Sequence, residues 1–363
     1  MQVTIKKKIL IATGGTGGHV FPAYALAKHF KKKKLEVQIV LDKRGLCFLK
    51  NYQDIKFKII TSSPIFKKKP LNILISTSKN IFAFFNSIFI LLKFKPNIVI
   101  GMGGYSSFPV CIASRMLRIK FITYENNLYI GKTNKYLLPF ASKMLVAYSE
   151  LKGIDNNHIE KIFRIGNILR EEILNFNTNV KLNKDTFNVL VLGGSQAAKS
   201  LGEKLPKIFE NFSKEKIKIT IYQQCLVEQK EMLEKFYKNL GFKCEIFNFS
   251  NNLSDYFTKT DLVITRSGSS MIAELINCNL PFIAIPLPTS AENHQLINAK
   301  YFEEKGYGFC VEEKEIDTRL FQLIKSIHED RDLLDVIKKK QKNCSDKLVF
   351  EKIDKQLDEI INE

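Results

Sequence analysis

The chain has 363 residues, a length that suits two domains better than one. Its 45% hydrophobic content can fill sizeable cores and argues against a disordered chain, and its seven cysteines stand singly with no C-x-x-C pair, so neither a disulfide framework nor a zinc site is indicated and a reducing cytoplasm fits best. Lys and Arg outnumber Asp and Glu by 56 to 37, a net charge of +19 that fits an acidic substrate, an anionic membrane surface or nucleic acid, and that an A/T-biased genome also produces.

Residues 1–13 carry lysines before a short apolar run but no signal-peptide cleavage pattern. The run KKILIAT reads as a strand, ends in GGTGGH (Gly14–His19), and is followed by a helix expected over Pro22–Lys33. LEVQIVLD is the next strand. Further on, Lys67, Lys68 and Lys69 precede the most hydrophobic stretch, IFAFFNSIFILL at Ile81–Leu92. Twelve residues fall short of the ~20 needed to span a bilayer, so this stretch is expected to be a core helix, an interfacial helix, or both. NIVIGMGG and FITYENN complete a βαβ rhythm that predicts a parallel sheet covered by helices.

The rhythm restarts at FNVLVLGGSQA (187–197), continues through TDLVITRSGSSMIAEL, and reaches LPFIAIPLP. Two doubly wound α/β domains are therefore expected, 1–165 and 166–345, with a polar, Asn-rich boundary at Gly166–Lys184. The last helix, 346–363, could pack on either.

Four glycine loops follow strands and so should open on the carboxyl edges of the sheets, where ligands bind in open parallel sheets. They are GGTGGH, GMGGYSS (Gly101–Ser107), GGSQA (Gly193–Ala197) and RSGSS (Arg266–Ser270). A glycine loop opening a helix lets backbone approach an anion, and the helix amino terminus meets it with N–H groups and positive dipole. Several such ends converging on one diphosphate could hold it without metal. Glu274, in the first two turns of the helix after RSGSS, could accept two hydrogen bonds from a ribose diol, or simply answer the helix dipole. His294 and Gln295 precede another helix and could be binding residues or ordinary caps.

Two other readings compete. A nicotinamide dehydrogenase would use Asp42 on a ribose, but Val20 stands where G-x-G-x-x-G needs its third glycine. A metal-dependent sugar transferase would need an Asp-x-Asp motif, and Asp330–Asp332 in HEDRD reads as solvated surface.

Taken together, GGTGGHVFPA, GMGGYSSFP, GGSQA and RSGSSMIAEL, with YENN (124–127), GNILR (166–170) and NHQLINA (293–299), resemble the MurG family of peptidoglycan transferases over nearly the whole chain. The resemblance implies an α/β GT-B fold, two Rossmann-like domains facing a central cleft, with the last helix returning to the first domain. It implies inverting, metal-independent transfer of N-acetylglucosamine from UDP-N-acetylglucosamine to the muramoyl 4-hydroxyl of lipid I, with no cofactor. On this resemblance Thr16, Gly17, Gly18, Asn127, Arg170, Ser195, Ser250, Ser269, Ser270, Met271, Ile272, Ala273, Glu274 and Gln295 serve the donor, and Tyr105 the acceptor. The acceptor hydroxyl needs a base, for which His19 and Glu125 are the candidates. His19 could instead hold its loop by bonding backbone.

The chain departs from the family pattern in three segments: GGSQAA for GGSQGA, with Ala197 in place of glycine, GNILR for GNPVR, with Ile168 in place of proline, and YENN for HEQN, with Tyr124 in place of histidine. A lipid-linked acceptor requires membrane contact, expected at Lys67–Lys69, Ile75, Phe82 and Phe85, on the cytoplasmic face of a bacterial inner membrane. Other cell-wall synthesis proteins are admitted as partners, and nucleic acid is not, for want of any recognition module. The alternatives kept open are another GT-B transferase with a lipid acceptor, such as diacylglycerol, and a non-catalytic scaffold.

Overall fold

The structure, a computed structural model, describes residues 7–49, 52, 54–63, 70–177, 186–250 and 252–362, with backbone alone at 70–73, 195–198 and 362. The chain divides into two compact units, one of residues 1–170 with 346–363, the other of 171–345.

The first unit is built on seven strands: β1 (Lys8–Ala12), β2 (Glu36–Leu41), β3 (Lys56–Ile59), β4 (Ile98–Gly101), β5 (Phe121–Glu125), β6 (Lys143–Val146) and β7 (Ile162–Arg164). They form one parallel sheet in the order β3-β2-β1-β4-β5-β6-β7. The strand order reverses between β1 and β4, which pair from Ile9↔Ile98 to Ala12↔Gly101. Ile9, Leu10, Ile11 and Ala12 are all buried, as an unbroken apolar run must be when helices cover both faces.

The helices of this unit are α1 (Gly17–Lys32), α2 (Lys43–Leu49), α3 (Pro70–Phe94), α4 (Ser107–Met116) and α5 (Lys132–Leu137). The first of these begins five residues before the expected Pro22. Gly17, Gly18 and His19 thus form its first turn, and Pro22 lies inside it. A proline there has no N–H for the Gly18 carbonyl four residues back. That carbonyl takes Asn126 Nδ2 at 3.1 Å instead.

Helix α3 corrects the expectation drawn from Ile81–Leu92. It is 25 residues long, and Leu74–Phe94 is long and apolar enough to cross a membrane by length and composition. One face, with Ala83, Ile90, Leu91 and Phe94, packs into the core beside Val110 and Cys111 of α4. The opposite face exposes Ile75, Ile81, Phe82, Phe85, Phe89 and Leu92.

The second unit repeats the plan with β8 (Phe187–Leu192), β9 (Ile219–Gln224), β10 (Lys243–Phe247), β11 (Leu262–Thr265), β12 (Phe282–Ala284) and β13 (Phe309–Cys310), parallel in the order β10-β9-β8-β11-β12-β13. Its helices are α6 (Glu171–Leu174), α7 (Gly194–Lys214), α8 (Lys230–Asn239), α9 (Ser254–Phe257), α10 (Ser269–Asn277), α11 (His294–Glu304), α12 (Phe321–Glu329) and α13 (Asp332–Gln341). Order reverses between β8 and β11, each followed by a glycine loop.

The final helix, α14 (Val349–Asn362), belongs to the first unit. Its face of Val349, Ile353, Leu357 and Ile360 is buried. The Phe350 ring stacks on His29 of α1 at 4.5 Å, and Asp354 accepts from His29 Nε2 at 2.9 Å and Lys33 Nζ at 2.7 Å.

Candidate active site

In the first unit the loops after β1 and β4 meet backbone to backbone. Gly104 has φ +77°, and a Cβ on it would stand 2.5 Å from the Gly14 carbonyl oxygen. Only glycine fits. Gly103, at φ +83°, brings its Cα against the His19 ring, so that a Cβ there would meet Cε1 and Nδ1 at 3.0 Å. The GGTGGH and GMGGYSS loops are thus one surface, with His19 in the first turn of α1 resting on it. Thr16 is the exposed N-cap, with no side-chain cap bond and no acidic residue in the turn that follows. Tyr105, 37% exposed, lies under the Arg44 guanidinium at 5.8 Å from its ring centre.

Asp42 is not available to a ribose. Its Oδ1 accepts Gly15 N–H at 3.1 Å and Gly45 N–H at 2.8 Å, and its Oδ2 accepts Arg44 Nη2 at 2.7 Å. Burial pushes its pKa up, but these donors outweigh burial and hold it below the usual carboxylate value. Asp42 shapes the first glycine loop, which removes the residue on which the dehydrogenase reading relied.

The YENN segment ends β5 and ties three loops together. The Tyr124 hydroxyl, fully buried, donates to Gly166 O at 3.2 Å and accepts Ile168 N–H at 3.1 Å. Burial drives its pKa well above 10. Glu125 is 2% exposed, and its carboxylate accepts four donors. Asn127 N and Nδ2 reach Oε1 at 3.1 and 2.9 Å, while Gly131 N and Asn134 Nδ2 both reach Oε2 at 2.9 Å. A carboxylate offers about four lone-pair sites, and all four are taken. Asn126 reaches Gly18, as described, and Asn127 is presented beside it. Arg170, at the end of GNILR, stacks on the Phe21 ring of α1 at 5.6 Å.

In the second unit α10 starts at Ser269 behind Gly268, which has open space where a Cβ would lie and no side-chain cap. Ser269, Ile272, Ala273 and Glu274 are buried, while Ser270 and Met271 are half-buried. The Ile272 and Ala273 side chains therefore point into the interior, and any ligand contact there is through backbone. Gln295 accepts Leu287 N–H on Oε1 at 3.0 Å, and its carbonyl takes the Ser267 hydroxyl at 2.8 Å. His294 Nδ1 lies 2.6 Å from Ala291 O, closing a local turn. Ser250 follows β10 and its hydroxyl accepts Asn252 N–H at 3.1 Å. Ser195 falls in the first turn of α7, where backbone alone is described, as does the Ala197 departure.

Beneath the RSGSS loop, Arg266 is 5% exposed, and its Nη1 donates to Glu313 Oε2 at 2.7 Å and to the Ile285 and Pro286 carbonyls at 3.3 Å. Glu313 also accepts Ser200 Oγ of α7 at 2.6 Å. Burial raises the Glu313 pKa, but Ser200, Arg266 and Lys204 together lower it below the ordinary value. This pair ties the RSGSS loop to α7, the helix that opens at GGSQA. Sequence reading missed it, although Arg266 is the first residue of the RSGSS motif.

Lys67, Lys68 and Lys69 lie outside the described residues. Asp330 of HEDRD accepts Asp332 N–H at the start of α13, an exposed helix-start role. Among the described residues no three His, Cys, Asp or Glu side chains group as a metal site.

Residues 9–146 match the glycosyltransferase family 28 N-terminal domain and residues 188–357 the family 28 C-terminal domain. A UDP-N-acetylglucosamine–N-acetylmuramyl-(pentapeptide) pyrophosphoryl-undecaprenol N-acetylglucosamine transferase of Pelagibacter ubique is 36% identical, covering 99% of this chain and 100% of its own. The Rickettsia bellii transferase of the same name is 34% identical over 88% of this chain and 91% of its own. The crystal structure of Acinetobacter baumannii MurG superimposes with a TM-score of 0.74 at 24% identity, covering 96% of this chain and 98% of that one. The doubly wound sheets are those of a GT-B glycosyltransferase. With both domains matched in order and full-length relatives above 30% identity, the chain belongs to glycosyltransferase family 28 and, within it, to the MurG family.

Proposed function

We propose that this chain transfers N-acetylglucosamine from UDP-N-acetylglucosamine to the muramoyl 4-hydroxyl of lipid I, giving lipid II. The observation that carries this reading is the 36% identity to a transferase of that name over the full length of both chains. The acceptor oxygen attacks the anomeric carbon as the bond from that carbon to the diphosphate breaks, inverting the centre. A proton leaves the hydroxyl and negative charge grows on UDP, so a base and an anion-stabilising surface are needed.

His19 is our choice of base. Glu125, with four donors on its carboxylate, is better suited to organising the loop that presents Asn127. We assign the nucleotide to the second unit, with Ser195 and the α10 start on the diphosphate, Glu274 on the ribose, the backbone near Ser250 on the uracil and the Gln295 NH2 group on the sugar. The charge on departing UDP is met by the amino ends of α7 and α10 rather than by a metal. On the family resemblance Thr16, Gly17, Gly18, Asn127 and Arg170 are also assigned to the donor, and Tyr105 to the acceptor.

Contact with the bilayer is assigned to α3. Phe82, Phe85 and Phe89 are 65%, 63% and 65% exposed on one face of a helix whose other face is core, which favours a helix lying in the interface. The lysines at 67–69 would add attraction to an anionic surface, about 1 kcal/mol each.

Purified protein assayed with UDP-N-acetylglucosamine should glycosylate lipid I and not diacylglycerol. Absence of transfer to lipid I overturns the reading.

A further inference from the structure

We propose that Tyr124 is a positioning residue that sets Arg170 by clamping the backbone of the GNILR loop. A hydroxyl has one hydrogen to give and lone pairs to accept, and this one spends both on a single loop. It gives to Gly166 O at 3.2 Å and takes from Ile168 N–H at 3.1 Å. Between those two residues, Asn167 donates its N–H to Asp346 Oδ1 at 3.0 Å and its Nδ2 to Asp346 Oδ2 at 3.2 Å. Three successive residues are thus held by side chains from β5 and from the segment leading into α14. Ile168 and Leu169 are buried, which fixes the direction in which Arg170 leaves the loop to stack on Phe21.

Positions 124 and 168 are also two of the five where this chain departs from the family motifs quoted above, the others being 126, 169 and 197. A proline at 168 has no N–H for a hydroxyl to accept. The tyrosine and the non-proline residue therefore make sense as one linked change: Ile168 brings a buried N–H, and Tyr124 satisfies it. Left without that partner, a buried N–H is costly.

The proposal rests on the donor-side assignment of Arg170, so the test separates the two. Steady-state kinetics and circular-dichroism melting would be measured for Tyr124→Phe, Ile168→Pro, Arg170→Ala and the doubles, in the full chain. Tyr124→Phe keeps the ring and should raise KM for UDP-N-acetylglucosamine about tenfold, with kcat changed about twofold or less. Tyr124→Phe with Arg170→Ala should be no worse in KM than Arg170→Ala alone, and Tyr124→Phe with Ile168→Pro no worse than the weaker single variant. Should Ile168→Pro fail to fold, the Tyr124–Arg170 pair carries the test. If Arg170→Ala raises KM and Tyr124→Phe lowers only the melting temperature, or if their effects on KM multiply, the positioning role is wrong. If Arg170→Ala itself leaves KM unchanged, it is the donor-side assignment that fails.

Discussion

Asn126 donates its amide hydrogen to the Gly18 carbonyl, 3.1 Å away, across 108 residues of sequence. The link exists because Pro22, inside α1, cannot supply the N–H that a helix would normally return to Gly18. A strand end therefore holds the first turn of the helix that carries His19. Asn126→Ala should lower kcat about five- to thirtyfold, the worth of one to two kcal/mol in placement of that turn. Pro22→Ala restores a backbone donor for Gly18, so the Asn126→Ala, Pro22→Ala double variant should recover part of the loss. Turnover measured at saturating donor decides this, and a double variant no better than Asn126→Ala would refute it.

The assignments of His19 and Glu125 predict different failures. His19→Ala should lower kcat by about 10²–10⁴ while donor affinity and melting temperature stay near the parent values. Glu125→Gln replaces an acceptor by an NH2 group that faces the donors of Asn127 or of Gly131 and Asn134, so it should destabilise the first unit by about 1–3 kcal/mol. Calorimetric donor binding and circular-dichroism melting separate the two. A fully stable Glu125→Gln protein with abolished turnover would return the base role to Glu125.

Strands β1, β2, β4, β5, β8, β11 and β12 were legible because they are largely unbroken apolar runs, and each glycine loop stands directly after one, whereas β3 (KFKI), β9 (ITIYQQ) and β10 (KCEIF) mix polar and exposed positions and were not read. The start of α1 was not, because Gly17, Gly18 and Pro22 are all poor helix formers and only tertiary partners reconcile them with a helix. The extent of α3 was hidden by its polar residues. Ser76 and Ser87 look like interruptions but lie on the buried face, where Ser76 meets Ser63 at 3.2 Å and Ser87 bonds the Ala83 carbonyl at 2.6 Å. Among the site residues, Glu125 was legible only through the family resemblance, as a candidate base. Its commitment to four donors was not, since that depends on how residues 127–134 fold back. The Tyr124–Ile168 bond joins positions 44 apart and leaves no local pattern.

Arg266 and Glu313 offer a test in the second unit. Their side chains are 6% and 16% exposed, so removing the cation leaves a carboxylate in a dry setting with Ser200 and Lys204 as its remaining partners. Arg266→Met should destabilise this unit by about 3 kcal/mol. Replacing both, Arg266→Met with Glu313→Met, should recover at least half of that, because the penalty comes from a largely buried carboxylate left less compensated rather than from the lost attraction. Urea unfolding followed by circular dichroism reads both, the chain having no tryptophan to report by fluorescence. Equal stabilities for the single and double variants would contradict this account.

The anchoring of α14 should respond to acid. Burial raises the Asp354 pKa, but the hydrogen bonds from His29 and Lys33 outweigh it, and the net folded value lies below the ordinary one. The folded state therefore binds its proton at lower pH than the unfolded state does. The resulting stabilisation is fully present above about pH 4, the unfolded value, and fades as pH falls through the lower folded value. Amide hydrogen exchange in 349–362, followed from pH 7 to pH 3 and corrected for the intrinsic rate, should thus show protection lost below about pH 4. Asp354→Asn removes the titration and part of the docking energy, about 1–2 kcal/mol. Its α14 should exchange faster at pH 7 and lose the acid step. An acid step of undiminished size in Asp354→Asn would assign the pH response to another group.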